Sequence, residues 1–260
     1  MENIAPWLAL KSVSGVGNHL YKRLLDQFQS PEKVLNAKKT ELMMVAGVSD
    51  RIAGKILGIR FPDHIKKEIE LAKKHQFRII TFLDPEYPPL LHHIPDPPPY
   101  IYVKVRLEGT DQSVAVVGSR NASSYGKSMA IRLSRDLASL GLTIVSGMAR
   151  GIDTAAHMGA MSAKGKTIAV LGSGLGVIYP PENRRLYEEI SENGAVISEF
   201  PIEEGPKAYN FPARNRIISR MTLGTLVVEA TPISGYLLSA RLAGAQGRED
   251  LAVPGSLDPA

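Results

Sequence analysis

A chain of 260 residues, 44% hydrophobic and 22% charged, has room for one large domain and one small one and enough apolar side chains to bury a core in each. It contains no cysteine, which excludes disulfides, thiolate metal sites and a cysteine nucleophile and fits a reducing, cytoplasmic setting. A net charge of +5 allows a polyanionic partner without requiring one, and neither a bilayer-long apolar run nor a basic, signal-like N-terminus is present, so no membrane association is expected.

The chain opens with a repeat. Leu10 to Gly17 leads into an apolar-periodic helix predicted over His19–Phe28, and Leu42 to Ser49 leads into a second over Arg51–Ile59. Gly15 aligns with Gly47, and Leu24-Leu25 with Ile56-Leu57. Helix, glycine turn, helix, written twice, predicts a small all-α helix-hairpin-helix domain over residues 1–60, since glycine permits the positive φ such a turn demands. Turn amides of this kind can face a phosphate, and the same pattern serves equally as a helical interaction module. Ser49 stands where the first turn has Gly17. Then come a polar helix, Asp63–His75, an apolar run, Phe77–Leu83, and a proline-rich connector, Asp84–Pro99, in which prolines fix φ and withhold donors. Tyr100–Val105 alternates like an edge strand.

From Ser113 short β-branched runs alternate with helical stretches. The strands are expected at Val114–Val117, Thr143–Val145, Thr167–Leu171, Ala195–Ile197, Leu226–Val228 and Leu251–Val253. The helices are expected at Ser124–Leu140, Asp153–Ala163, Glu182–Glu192, Ala213–Arg220 and Gly235–Ala245. Strands that are apolar throughout and separated by helices form a parallel sheet covered on both faces, so residues 61–260 read as an α/β domain. Ligands of such sheets bind beyond the carboxyl ends of the strands. The loops of interest are therefore Gly118-Ser119-Arg120, Ser146-Gly147, Gly172-Ser173-Gly174, Glu199-Phe200-Pro201 and Glu229-Ala230.

Several enzymatic patterns come close without closing. Gly126-Lys127-Ser128 has the end of a phosphate-binding loop, but Asn121 stands where that loop needs its first glycine, so ATP hydrolysis is not expected; an anion at the helix N-terminus is. Gly172-Ser-Gly174-Leu-Gly176 brings its third glycine one residue early for a dinucleotide fingerprint and reads better as a packing turn. Asp153 and His157, four apart on one helix face with Ser146 close in sequence, suggest a hydrolase triad, yet no strand–turn–helix elbow holds the serine, and Asp153 suits a first-turn acid. The six histidines are scattered, so neither a metal nor any other cofactor is expected.

The segment Lys207-Ala-Tyr-Asn-Phe211-Pro-Ala-Arg214-Asn215-Arg216 gathers cations, aromatics and amides at the head of a short helix. Arginine forks onto phosphate, an aromatic face takes an unstacked base, and asparagine reads a base edge or fixes a loop. Together with Val117-Gly-Ser-Arg120, the run Ser146-Gly-Met-Ala-Arg-Gly-Ile-Asp-Thr-Ala-Ala-His157, Tyr179-Pro180, Ser198-Glu-Phe-Pro201, Phe211 to Ile218, Val227-Val-Glu-Ala230, Ser234-Gly235 and Ala252-Val-Pro-Gly255, it resembles the DNA-processing protein A family (DprA, also called Smf) along the whole chain. That resemblance implies a SAM-like helical domain followed by an extended Rossmann-like sheet, with relatives continuing past the point where this chain stops. It implies a non-enzymatic protein that binds single-stranded DNA, forms a homodimer and loads the RecA recombinase onto incoming DNA during natural transformation. It carries DNA contacts onto Gly118, Ser119, Arg120, Phe211, Arg214 and Asn215, with Lys207 as a flanking cation and Ser146 and Gly147 in the neighbouring strand-end loop. A second class stays open: Gly224-Thr225 and Glu229 distantly resemble the signature of nucleotide phosphoribohydrolases.

Overall fold

The structure, a computed structural model, describes residues 4–59, 63–229 and 249–252. They fall into two compact units, residues 1–87 with 92–101, and residues 88–91 with 102–260.

The first unit contains helices α1 (Ala5–Ser12), α2 (Asn18–Phe28), α3 (Pro31–Leu35), α4 (Lys39–Met43), α5 (Asp50–Leu57) and α6 (Asp63–Lys74), then strand β1 (Arg78–Thr81). The repeat read in the sequence is a structural repeat. Gly15 and Gly47 sit in the two turns with φ of 104° and 96°, the left-handed region that side chains avoid. Each turn is held by the opposite hairpin. Arg23 of α2 donates to the Ala46 carbonyl at 3.0 Å, and Lys55 of α5 donates to the Ser14 carbonyl at 3.2 Å. Leu20 approaches Gly47 while Ile52 approaches Gly15, and the equivalent residues of the two copies, Ser14 and Ala46, Gly15 and Gly47, Leu20 and Ile52, Arg23 and Lys55, are each 32 residues apart along the chain, as expected of two copies of one motif related by a local twofold axis. Ser49 does more than replace a glycine: its hydroxyl accepts the Ile52 N–H at 3.3 Å and caps α5. The proline-rich passage is pinned by the Tyr87 hydroxyl, which donates to the Pro98 carbonyl at 2.8 Å.

The second unit is a sheet with helices. Its elements are β2 (Tyr100–Val105), β3 (Ser113–Gly118), α7 (Ser124–Ser139), β4 (Thr143–Gly147), α8 (Ile152–Ser162), β5 (Thr167–Val170), α9 (Arg184–Asn193), β6 (Gly194–Ser198), α10 (Asn210–Arg220), β7 (Gly224–Val228) and β8 (Glu249–Ala252). The order is β1-β2-β6-β5-β4-β3-β7-β8, parallel from β6 to β8, with β2 antiparallel to β6. Tyr100–Val105 is thus a strand as expected, but β1 lies beyond it, so it is not the sheet's edge. The expected helix at Gly235–Ala245 lies outside the described residues.

The topology places the site. From β3 through β6 the chain steps in one direction across the sheet, and α7, α8 and α9 connect these strands. Then α10 carries it back past β5, β4 and β3 to β7. Because parallel crossovers are right-handed, reversing the direction of travel moves the connecting helix to the other face. α10 accordingly packs on β4 and β5, apart from the layer formed by α7 and α8. In that layer small residues let helices and strands approach closely: Ala130, Ala155, Ala156 and Ala160 pack with Val116, Ile144, Ile152 and Val228 as one buried cluster.

Candidate nucleic-acid interface

The reversal of strand order brings the carboxyl ends of β3, β4 and β5 together with the N-terminus of α10. Between them is a cleft of about 220 Å³. Arg120 and Asn121 from the β3 loop, Met148 to Arg150 from the β4 loop, and Gly172, Tyr179 and Pro180 from the segment after β5 form its walls; Phe211 and Arg214 come from α10.

Two arginines play different parts. Arg120 is exposed, and its guanidinium carbon lies 5.1 Å from the centre of the Phe211 ring, a cation–π distance. Tyr179, 43% exposed, sets its ring 5.9 Å from that of Phe211, so cation and two aromatics form a row along the cleft. Gly172 allows this, since a side chain there would begin 2.8 Å from the Phe211 ring. Arg214, in contrast, is 2% exposed. It donates to the Val170 carbonyl at 2.6 Å through Nη1 and to Asn215 Oδ1 at 3.1 Å through Nε, so a fixed guanidinium forms part of the floor. Gly147 makes space for it. A Cβ at 147 would fall 2.1 Å from Arg214 Nη1 and 2.4 Å from Asp153 Oδ2.

The remaining residues singled out in the sequence have mostly internal partners. Gly118 ends β3 opposite Val228. Ser119 is buried, its hydroxyl accepting the Asn121 N–H at 3.2 Å and its carbonyl the Ile152 N–H at 3.1 Å, which shapes the turn that projects Arg120. Ser146 donates to the Val116 carbonyl at 2.6 Å. Asn215 orients Arg214. Lys207 is outside the cleft lining, where it pairs with Glu204, three residues earlier, and that carboxylate raises its pKa. Arg150 and Tyr179 also line the cleft. In the sequence Arg150 lies between Ser146 and His157, where the acid and the histidine carry the stronger signal, and no local spacing marks Tyr179. Arg150 pairs with Glu182 at the rim. Arg120 has no ion pair among the described residues.

The amide site expected at the N-terminus of α7 is already filled. Both carboxylate oxygens of Glu229, just past β7, accept the Ser123 N–H at 3.0 Å, and Oε2 also accepts its hydroxyl at 2.9 Å. Gly126 is required beneath it, because a Cβ there would lie 1.8 Å from Glu229 Oε2. The protein's own carboxylate thus sits where an anion would. Lys127, the would-be phosphate-binding lysine, is inside α7 and exposed.

No hydrolase triad assembles. His157 is fully buried, with Nε2 2.7 Å from the Gly147 carbonyl and Nδ1 2.7 Å from the Thr167 hydroxyl. Burial pulls its pKa down to about 4. The neutral ring donates from Nε2 to the Gly147 carbonyl, and Nδ1 shares the single proton of the Thr167 hydroxyl with the Ile144 carbonyl, 2.8 Å from that hydroxyl. Among the described residues no group of three or more metal-ligating side chains occurs, and no helix is long and apolar enough to cross a membrane.

A paired glycine-turn helical module joined to a mostly parallel sheet with a basic and aromatic cleft at its strand ends defines a two-part protein, a tandem helix-hairpin-helix followed by a Rossmann-like domain; residues 8–57 match the SAM-like helix-hairpin-helix tandem. Residues 78–260 match the DNA recombination-mediator protein A family, and the chain belongs to it. It is 40% identical to Protein Smf of Synechocystis over 98% of its own length and 65% of that protein's. The crystal structure of DNA processing protein A from Streptococcus pneumoniae superposes with a TM-score of 0.84 at 34% identity, covering 99% of this chain and 89% of that one. A Helicobacter pylori DNA processing protein A, described for its mode of binding single-stranded DNA, matches 70% of this chain and 83% of that one at 31% identity and a TM-score of 0.64.

Proposed function

We propose that this chain is a single-stranded-DNA-binding recombination mediator that uses the strand-end cleft to hold DNA and catalyses no reaction itself. The observation that carries the reading is the row of Arg120, Phe211 and Tyr179 beside Arg150 and the buried Arg214. Cations serve phosphates, and stacked rings serve bases that are free of a complementary strand. Gly118, Ser119, Ser146, Gly147 and Asn215 contribute by shaping the loops and placing Arg214, while Arg120, Phe211 and Arg214 make contact and Lys207 adds a flanking charge. The family supports the wider role: a cytoplasmic homodimer that delivers DNA to the RecA recombinase during natural transformation. The apolar run Tyr236, Leu237 and Leu238, which by its composition suits a self-association surface, lies outside the described residues. The phosphoribohydrolase reading loses its glutamate, because Glu229 is engaged with Ser123.

Titration with single-stranded and duplex oligonucleotides at one salt concentration tests this. Single strands should bind about tenfold tighter or more, since stacking requires unpaired bases. Equal affinities, or release of phosphate or free adenine from nucleotides at enzymatic rates, would overturn it.

A further inference from the structure

Asp153 does not line the cleft but is buried directly behind it, next to Arg214 and the β4 loop. It lies in the first turn of α8, where an acid offsets the helix dipole, but a carboxylate does that equally well from the surface. Here the side chain is 1% exposed, and burying a charge is costly unless the partners are good. Its partners include groups from separate walls of the cleft, alongside the Ser146 hydroxyl and the charge of Arg120. Oδ2 accepts the Ala149 N–H at 3.2 Å, and the same oxygen faces Arg214 across the space that Gly147 leaves vacant. The Arg214 cation opposes the rise in the Asp153 pKa that burial causes.

The β4 loop is tied on its other side as well. The Thr154 hydroxyl donates to the Ala149 carbonyl at 2.8 Å, and the Asn183 amide donates to the Met148 carbonyl at 2.9 Å and to Thr154 Oγ1 at 3.0 Å. The backbone from which Arg150 projects is therefore fixed by three neighbouring side chains, of which Asp153 alone also faces Arg214.

We propose that Asp153 is the positioning residue of the cleft, aiming Arg214 and pinning the Met148–Arg150 loop so that both present their donors to the phosphates of one DNA strand. This rests on the single-stranded-DNA reading. A carboxylate close to a bound polyanion would by charge alone weaken binding. Positioning and plain repulsion therefore predict opposite signs for its removal.

The test measures affinity of the full chain for a labelled oligothymidylate across a range of salt, with circular dichroism to confirm folding. Asp153→Asn should weaken binding about tenfold and flatten the dependence of log affinity on log salt by about 0.7, as loss of one ordered phosphate contact does. In a cycle with Arg214→Gln, Asp153→Asn should cost less than its tenfold in the unaltered chain, because only the loop's share of its effect is left to lose. Unchanged or tighter binding by a folded Asp153→Asn overturns the proposal, as does a full additive loss in the double variant. If Asp153→Asn does not fold because it strands the arginine, the double variant, which strands nothing, is compared with Arg214→Gln, and a further loss of tenfold or more there overturns it. Arg120→Ala separates the two readings: if it weakens binding and the Asp153 variants do not, the DNA reading stands and this inference falls. If the unaltered chain binds no oligothymidylate, both fall.

Discussion

The two hairpins of the first unit and the cleft of the second use the same materials, glycines and cations at turns, to opposite ends. In the hairpins Arg23 and Lys55 each donate to a carbonyl of the other copy, so these charges hold the module together. In the cleft Arg120 projects from its turn over an aromatic ring and has no ion pair among the described residues. A basic protein's cations thus do not locate its ligand by number. What locates it is how their donors are used: Arg120 is without an ion pair among the described residues, while Arg150 pairs with Glu182 at the rim and Arg214 is held in the floor.

The largest effect expected from breaking this contrast is at Gly147. Gly147→Ala drives a methyl between Arg214 and Asp153 and should cost about 1–3 kcal/mol of stability by overpacking. It should also lower oligonucleotide affinity roughly a hundredfold by displacing charge-assisted contacts of about 1.5–3 kcal/mol each. Denaturant titration and binding on the same sample check both. Next is Phe211→Ala, expected to cost about 1–3 kcal/mol of binding, with Arg120→Ala comparable and accompanied by a salt slope flatter by about 0.7. Because the two side chains lie against each other, their losses should be less than additive, by about 0.5–1 kcal/mol. Strict additivity would mean they contact DNA separately.

His157 sharpens the comparison from beneath. Its folded pKa, about 4, lies under the ordinary value of 6.5, so between those values the unfolded chain binds more protons. Its contribution is complete above pH ~6.5 and is lost as pH falls toward about 4. At pH ~5 the loss should be about 2 kcal/mol relative to neutrality, and His157→Gln should flatten that part of the stability profile. An equally steep profile in the variant would place the titration elsewhere. The smallest effect belongs to the hairpins: Arg23→Ala or Lys55→Ala should each cost about 1 kcal/mol of stability and leave single-strand affinity within twofold. A matching loss of affinity would bring the helical module into the binding surface.

Much of this architecture is legible from side-chain pattern. Strands such as Val114–Val117 are apolar on both faces and announce a parallel sheet, and the rule for parallel sheets directs attention to Arg120 and to Phe211 with Arg214. Gly15 and Gly47 announce the hairpins. What the pattern does not carry is who is already partnered. The acid three residues before Lys207 is visible in the sequence and signals its pairing. The acids on Arg150 and at the α7 N-terminus, Glu182 and Glu229, come from distant segments, and no local spacing reveals them. Asp153 reads correctly as a first-turn acid, but the direction of its carboxylate depends on Gly147 and Arg214, which meet it only across the sheet.

The return of the chain through α10 also bears on how the protein acquires its cleft. The walls come from residues 120–121, 148–150, 172–180 and 211–214, so the last wall begins 90 positions after the first ends. During synthesis the strands β3 to β6 can pair as soon as they emerge, since each step joins near neighbours, but the cleft has no Phe211 and no Arg214 until α10 has crossed back over finished strands. Contacts between such distant segments form slowly because the loop must close first. The binding site is therefore among the last parts of the domain to mature, and a nascent chain halted before α10 would have most of the sheet and Arg120, Arg150 and Tyr179, but neither the stacking ring nor the fixed arginine.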